Sequence, residues 1–205
     1  MTQQSHEPTQ SSHEPTQQSH EPERGGQPSG PVSVRAAGLA DVPEIARIQL
    51  DTWRQAYSGW LPAPVLDQIA PADAELTWRQ AVTEPPTRRH HVLIAQEQEW
   101  PVGFVAFGPS PDDEGGPVGM IDAMLVEPRW GRRGHGSRLL AATVDHMRAD
   151  GMRTALVWVP EPDAASLAFY TSAGWERDGY ARSLEADGAS VTEVRLHVSL
   201  EEDDR

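Results

Sequence analysis

The chain has 205 residues, of which 38% are hydrophobic, and its 17 basic and 31 acidic side chains give a formal net charge of −14. All of the basic residues are arginines, and the sequence contains no lysine, cysteine or asparagine. Without lysine the chain cannot form a pyridoxal phosphate Schiff base or a Walker A phosphate site, and without cysteine it has no thiol nucleophile. The acidic balance argues against nucleic-acid binding, which needs a concentrated positive surface, and it favours a cationic partner.

Low-complexity sequence stands on both sides of the region that can fold. Residues 1–31 contain three copies of a seven-residue unit, TQxSHEP, followed by a stretch rich in Gly and Pro. No position of the unit is aliphatic or aromatic, so it offers no coiled-coil seam, and we expect a disordered tail. Residues 201–205 form a short acidic tail, which leaves residues 32–200 as one predicted domain.

The sequence also bears on where the protein works. It has no run of 18 apolar residues, and its N-terminus lacks a basic start followed by an apolar stretch. We therefore expect a cytoplasmic protein that does not associate with membranes. The three histidines of the repeats could bind a metal ion loosely, but we expect solvated side chains there and no metal site.

The predicted elements alternate between strands and amphipathic helices. In chain order they are a strand (32–36), a helix capped by Asp41, two short helices (64–70 and 72–83), a hairpin (91–96 and 102–107), a strand (118–126), a helix (136–149), a strand (154–159), a helix (163–172) and two closing strands (175–183 and 191–200). The first helix carries an apolar stripe of Ile45, Ile48, Leu50, Trp53 and Ala56. This order implies an α/β fold with antiparallel hairpins and one parallel βαβ crossover.

The most informative segment lies at a predicted strand-to-helix junction. Residues 127–140 read EPRWGRRGHGSRLL. Glycines at such a junction let the backbone approach a ligand, and the first N–H groups of the helix favour an anion such as phosphate. Arg132 and Arg133 add positive charge for a pyrophosphate. The dinucleotide-binding fingerprint does not fit, because Leu139 occupies its third glycine position; an ordinary glycine-rich turn is the remaining alternative.

This segment resembles the pyrophosphate loop of the GNAT N-acetyltransferase superfamily, whose pattern is Arg/Gln-x-x-Gly-x-Gly/Ala. Residues 163–175, DAASLAFYTSAGW, resemble the family segment N-x-x-A-x-x-F-Y-x-x-x-G-F, with Phe169, Tyr170 and Gly174 at matching positions. The order of elements over residues 32–200 is also similar to that of the family. The resemblance implies a GNAT fold, with a mixed central sheet of six to seven strands that is splayed in the middle and flanked by about four helices.

The resemblance implies acetyl-CoA as the cosubstrate, with no metal ion, and it indicates the residues that bind it. The predicted pyrophosphate contacts are Arg132, Arg133, Gly134, His135, Gly136 and Ser137. The backbone of Met124, Leu125 and Val126 would pair with the pantetheine arm, and an amide there would hold the thioester oxygen. Asp163 and Ser166 replace the family's Asn and Ala, and Gly131 replaces its Arg or Gln. These departures predict a differently shaped cradle and a reduced affinity for the cofactor.

The implied reaction is acetyl transfer to an amine without a covalent enzyme intermediate. An alkylammonium with a pKa near 10.4 needs about 4.6 kcal/mol to lose its proton at pH 7, so a proton acceptor is required. Asp122 is the first candidate because it is ionisable within an apolar strand, and Glu127 and Glu161 are lesser candidates. Tyr170 matches the family's tyrosine that protonates the departing CoA thiolate. The alternatives are a solvent-facing Asp122 and a Tyr170 that only fills the core.

The acceptor is less well defined by the sequence. Tyr57 and Trp60 are predicted to contact it, because the family places the segment after the first helix at the acceptor pocket; core packing with Trp53 is the alternative. We expect a small primary amine or an amino group of a peptide or protein, and a cationic acceptor fits the acidic domain. An inactive acyl-CoA-binding sensor or interaction module is the alternative function. Because dimers are common in the family, a homodimer is also expected.

Overall fold

A computed structural model describes residues 31–59, 70–113, 116–186 and 189–201. Trp60, nearly all of the helix predicted at residues 64–70 and the predicted tail up to residue 30 lie outside the described residues, as do residues 202–205. Within the described ranges, no helix combines the length and the apolarity needed to cross a bilayer.

The domain is organised around a central sheet. The strands are β1 (Val32–Ala36), β2 (His91–Glu97), β3 (Trp100–Pro109), β4 (Val118–Val126), β5 (Thr154–Pro160), β6 (Glu176–Ala186) and β7 (Ala189–Ser199). These seven strands lie in the order β1-β2-β3-β4-β5-β7-β6. Every neighbouring pair is antiparallel except β4 and β5, which are parallel. The mixed sheet and its single parallel crossover confirm the predicted fold class.

The helices of the described residues cover both faces of the sheet. They are α1 (Val42–Tyr57), α2 (Pro71–Thr83), α3 (His135–Ala149) and α4 (Ala164–Ser172). Strand β2 is apolar on both sides, because Ile94 packs with α1 and α2 whereas Leu93 packs in the cluster that contains α3 and α4. Each fully buried side chain of this size contributes roughly 1.5–3 kcal/mol to folding. The parallel crossover from β4 to β5 runs through α3, as predicted.

The start of α1 differs from the prediction. Asp41 precedes the helix, but its carboxylate does not cap it. The carboxylate accepts hydrogen bonds from both terminal nitrogens of Arg35, each at 2.7 Å, and from the backbone N–H of Gly38 at 2.7 Å. Arg35 holds the pKa of Asp41 below its usual range. The predicted capping role is wrong because the carboxylate is instead taken up by a bidentate ion pair with an arginine, which ties the turn to β1.

Candidate active site

The sheet opens between its two parallel strands. β4 and β5 pair only as far as Ile121 and Val157, although the strands continue to Val126 and Pro160. Beyond Ile121, the edge of β4 that faces β5 therefore has no strand partner among the described residues. This separation produces a cleft through the middle of the sheet, where the splayed fold was expected to place one.

A β-bulge lies at the point where the strands separate. β3 uses the adjacent residues Ala106 and Phe107 to pair with Ala123 and Ile121, so that Asp122 is the extra residue of β4. The bulge also breaks the alternation of the strand, since Ile121 packs on the face of α3 and α4 whereas Ala123, two residues later, packs on the face of α1 and α2. Bulges bend a strand and redirect a side chain. Here the redirected side chain is Asp122, which lines the cleft.

The carboxylate of Asp122 has an unusual environment. The side chain keeps access to solvent through the cleft, while the cleft walls surround it on its other sides. Although the residue is exposed, the cleft walls desolvate its carboxyl group in part, and this raises the pKa of Asp122 to about 6. Among the described residues, no hydrogen-bond donor or cation pairs with it. An Asp of this kind is ionised at neutral pH and accepts a proton more readily than an ordinary aspartate.

The cleft consists of two continuous halves. The half that we call the α1 half, about 350 Å³, lies between the end of α1 and the separated strands. The half that we call the loop half, about 390 Å³, lies between β4, α4 and the loop that precedes α3. Met124, Val126, Ser166 and Tyr170 line both halves. The two halves therefore adjoin beside the backbone of β4.

Tyr170 stands where the two halves meet. The residue is only 4% exposed, and its ring contacts the rings of Phe169 and Trp175 at centroid distances of 5.2 Å each. Burial, followed by the negative charge of Asp163, raises the pKa of Tyr170 above its usual value. The ring thus packs in the core while the residue also borders the cleft, so the two alternatives considered for this tyrosine are compatible.

The loop before α3 exposes unpaired backbone donors. Gly134 has a φ of 80° and precedes the helix, whose first turn begins with the hydrogen bond from Arg138 N to Gly134 O at 3.1 Å. The N–H groups of the residues between these two have no acceptor inside the helix. A Cβ atom at Gly136 would lie 3.4 Å from Phe169 and 3.9 Å from Val126, which both line the loop half. The glycine therefore keeps room for a ligand to approach these amides.

The two predicted arginines of the loop have different surroundings. Arg133 donates to Glu97 at 3.0 Å and lies over the ring of Trp130, with 4.9 Å between its guanidinium carbon and the ring centroid. His135, 1% exposed, hydrogen-bonds the other oxygen of Glu97 through Nε2 at 2.9 Å. Both side chains are thus held by a buried carboxylate of β2. Arg132 is exposed, and no acidic partner is found for it in the described parts of the chain.

Arg138 was not singled out by the sequence. Its guanidinium donates to the backbone oxygen of Arg133 at 3.0 Å and would lie 2.9 Å from a Cβ atom at Gly134. A second exposed cation is therefore present at the loop. Its position one turn into α3 is the signal that could have identified it, since a residue there returns toward the start of the helix.

The first residues of α4 also border the cleft. Asp163 accepts hydrogen bonds from the backbone N–H of Ser166 at 3.0 Å and from its hydroxyl at 2.7 Å. Two of the three departures from the family pattern thus form one capping pair at the N-terminus of the helix. Asp163 lines the α1 half, whereas Ser166 lines both halves.

The remaining candidates separate into two groups. Tyr57 lines the α1 half together with Trp53, at a ring distance of 6.1 Å, so the end of the predicted apolar stripe borders the cleft and not the core. Glu127 and Glu161 do not line either half. Burial alone would raise the pKa of Glu127, but hydrogen bonds and charges from Arg47 and Arg129 lower it. Glu161 is an exposed partner of Arg177 at 3.6 Å.

The loop half has the features that an acyl-CoA diphosphate requires. It offers the free amides of a helix N-terminus and a cation at Arg132 that has no acidic partner among the described residues. No group of three or more His, Asp or Glu side chains is arranged to hold a metal ion within the described ranges. Fold and cleft together define an acyltransferase architecture.

Comparison with known proteins identifies the family. Residues 45–175 match the model of the Acetyltransferase (GNAT) family. The chain is 30% identical over 166 residues to the uncharacterized N-acetyltransferase YuaI of Bacillus subtilis. The alignment covers 80% of this chain and 91% of YuaI. It is 27% identical over 149 residues to the L-methionine sulfoximine/L-methionine sulfone acetyltransferase of Pseudomonas aeruginosa. This alignment covers 72% of this chain and 81% of the Pseudomonas protein.

A solved structure shares the fold. The crystal structure of the PaiA N-acetyltransferase of Thermoplasma acidophilum in complex with coenzyme A has a TM-score of 0.69, with 12% identity, 82% coverage of this chain and 99% of that one. The protein belongs to the GNAT family, and the match confirms the predicted resemblance. It is an acetyl-CoA-dependent N-acetyltransferase.

Proposed function

We propose that this chain transfers the acetyl group of acetyl-CoA directly to a primary amine bound in the α1 half of the cleft. The observation that carries the proposal is the continuity of the two halves along the free edge of β4, with Asp122 on one side and Tyr170 at the junction. The amine belongs to a small molecule or to a peptide; the Pseudomonas relative, whose name specifies a small-molecule acceptor, supports the first of these.

The loop half would bind the cofactor. Backbone N–H groups of His135, Gly136 and Ser137 would donate to the pyrophosphate, because the helix leaves them without acceptors. Arg132 would add a charge-assisted hydrogen bond. Arg133 would act mainly by holding the loop, since Glu97 already binds its guanidinium. Met124, Leu125 and Val126 would offer the unpaired edge of β4 to the pantetheine arm and to the thioester oxygen.

Proton movement would use the two ionisable groups that border the junction. Asp122 takes one proton from the acceptor ammonium, directly or through a water molecule, and the nitrogen lone pair then attacks the acetyl carbon. The new C–N bond forms, the nitrogen releases its second proton to solvent water, and the C–S bond breaks. Tyr170 donates its hydroxyl proton to the leaving sulfur and is reprotonated from solvent. A thiol has a pKa near 8.5, so a tyrosine with a raised pKa stays protonated until sulfur departs.

Release of CoA from acetyl-CoA tests the proposal. The chain contains no cysteine, so a thiol reagent detects only the CoA that the reaction releases. We expect saturable, amine-dependent release, and intact-protein mass spectrometry without an acceptor should find no acetylated protein. Accumulation of an acetylated protein would contradict direct transfer. Binding of CoA without turnover on any amine would instead support the sensor function.

The homodimer expected from the family is tested separately by light scattering.

A further inference from the structure

Resting on the proposed function, we infer that the acceptor is a cationic amine whose portion inside the α1 half carries no carboxylate. The α1 half is lined by three carboxylates, Asp122, Asp163 and Glu193, and by no arginine or histidine among the described residues. The segment that follows α1 lies outside the described residues, but its sequence at positions 60–69 contains no basic residue and one acidic residue, Asp67. That segment therefore cannot supply the missing cation.

Two arginines that lie behind the wall of this cavity are already neutralised. Arg182 donates to Glu193 at 2.6 Å, and Arg195 donates to Asp178 at 2.7 Å. Both guanidinium groups lie over the ring of Trp158, at 4.4 and 5.6 Å from its centroid, and hold it as a wall of the α1 half. They serve as supports for the wall and do not line the cavity themselves. Within the described ranges, Asp122 and Asp163 have no basic partner.

An acceptor carboxylate would be poorly accommodated in such a cavity. It would lose hydration without gaining a cationic partner, and it would lie close to like charges. Burial, followed by the negative charges of Asp163 and Glu193, raises the pKa of the wall residue Tyr57 to about 12. A second ammonium group, by contrast, would be attracted by the carboxylates that line the cavity.

A matched pair of acceptors tests the inference. Nα-acetyl-lysine and Nα-acetyl-lysinamide present the same ε-amine and differ in the carboxylate, and cadaverine adds a second cation. With the full chain, we expect kcat/KM for the amide to exceed that for the acid by about tenfold or more, with cadaverine at least equal to the amide. An acid that is used as well as the amide would overturn the inference and leave the proposed function intact. If no amine is acetylated although CoA binds, both the inference about the acceptor and the proposed function fail.

A charge-neutralising variant gives the second measurement. Glu193→Gln keeps the shape of the side chain but frees the charge of Arg182 beside the cavity. We expect the preference for the amide over the acid to shrink several-fold. Glu185→Gln, on the neighbouring strand and outside the lining of the cleft, is the matched control and should leave the ratio unchanged. An unchanged ratio in Glu193→Gln, with the fold verified by circular dichroism, would contradict the role assigned to this charge.

Discussion

Ile121 and Val157 form the last backbone pair between the two parallel strands, and the next residue of β4 is the bulged Asp122. Asp122, the first residue of β4 beyond this pairing, is therefore also the residue whose carboxylate lines the cleft. One local irregularity accounts for both the opening of the sheet and the position of the candidate base.

Replacement of Asp122 by Asn tests its role as the base. The pKa of this carboxyl is raised to about 6, so kcat/KM of the wild type should fall as the pH decreases through that value. Asp122→Asn should lose this acidic limb, and its rate near pH 7.5 should be about 10²-fold lower, as expected for the loss of a general base. If Asp122→Asn keeps both the rate and the acidic limb of the pH profile, Asp122 is not the general base.

The same substitution has a predictable effect on stability. The pKa of Asp122 is higher in the folded chain than in the unfolded one, so the native state binds more protons between about pH 4 and pH 6. The contribution of Asp122 to the free energy of unfolding therefore falls as the pH rises through this window. Asp122→Asn should raise Tm relative to the wild type at pH 7 and have a smaller effect at pH 4. The comparison requires thermal melts of both proteins at both pH values.

Replacement of Tyr170 by Phe tests the proton donor. Phe preserves the ring contacts with Phe169 and Trp175, so Tm should change little. Without the hydroxyl, the thiolate departs unprotonated, and kcat should fall by about 10²-fold while the KM for acetyl-CoA stays nearly constant. Steady-state kinetics with one saturating amine measure both constants. If Tyr170→Phe instead lowers Tm markedly and kcat falls only because the protein is less folded, the tyrosine serves the core and is not the proton donor.

A methyl group at Gly136 separates folding from cofactor binding. In the first turn of α3, alanine is a better helix former than glycine by roughly 0.5–1 kcal/mol, and its Cβ would make an ordinary contact with Phe169. Gly136→Ala should therefore keep or raise Tm. The same methyl projects toward the residues that line the loop half, so calorimetry should find CoA binding weakened by about tenfold or more. Unchanged affinity would show that the ligand does not approach this backbone.

Glu97 is expected to matter for cofactor binding without touching the cofactor. Its carboxylate joins Arg133 and His135, and it is 5% exposed. Glu97→Gln weakens both bonds, so the loop should lose its fixed position and the KM for acetyl-CoA should rise several-fold while kcat stays within about twofold. Glu99→Gln, in the exposed turn of the same hairpin, is the control. A fall in kcat alone would argue against a positioning role.

Much of the framework could be predicted from the sequence because local patterns determine it. The apolar β-branched runs, the glycine loop before α3 and the aromatic segment of α4 each carry their own signal. The bulge at Asp122 could not be predicted, since the strand is apolar on both faces and alternation therefore gives no register. The binding of Arg133 and His135 by Glu97 is a contact between distant parts of the chain, which no local pattern reveals.

Hydrogen–deuterium exchange of the full chain with and without CoA tests the central claim most directly. That claim is that the cofactor lies along the free edge of β4 and on the first amides of α3. These amides have no acceptor in the helix, so they should exchange rapidly in the free protein. We predict that CoA slows exchange in peptides that cover residues 124–126 and 132–137 and leaves α2 unchanged. Saturating CoA that protects neither segment would contradict the account.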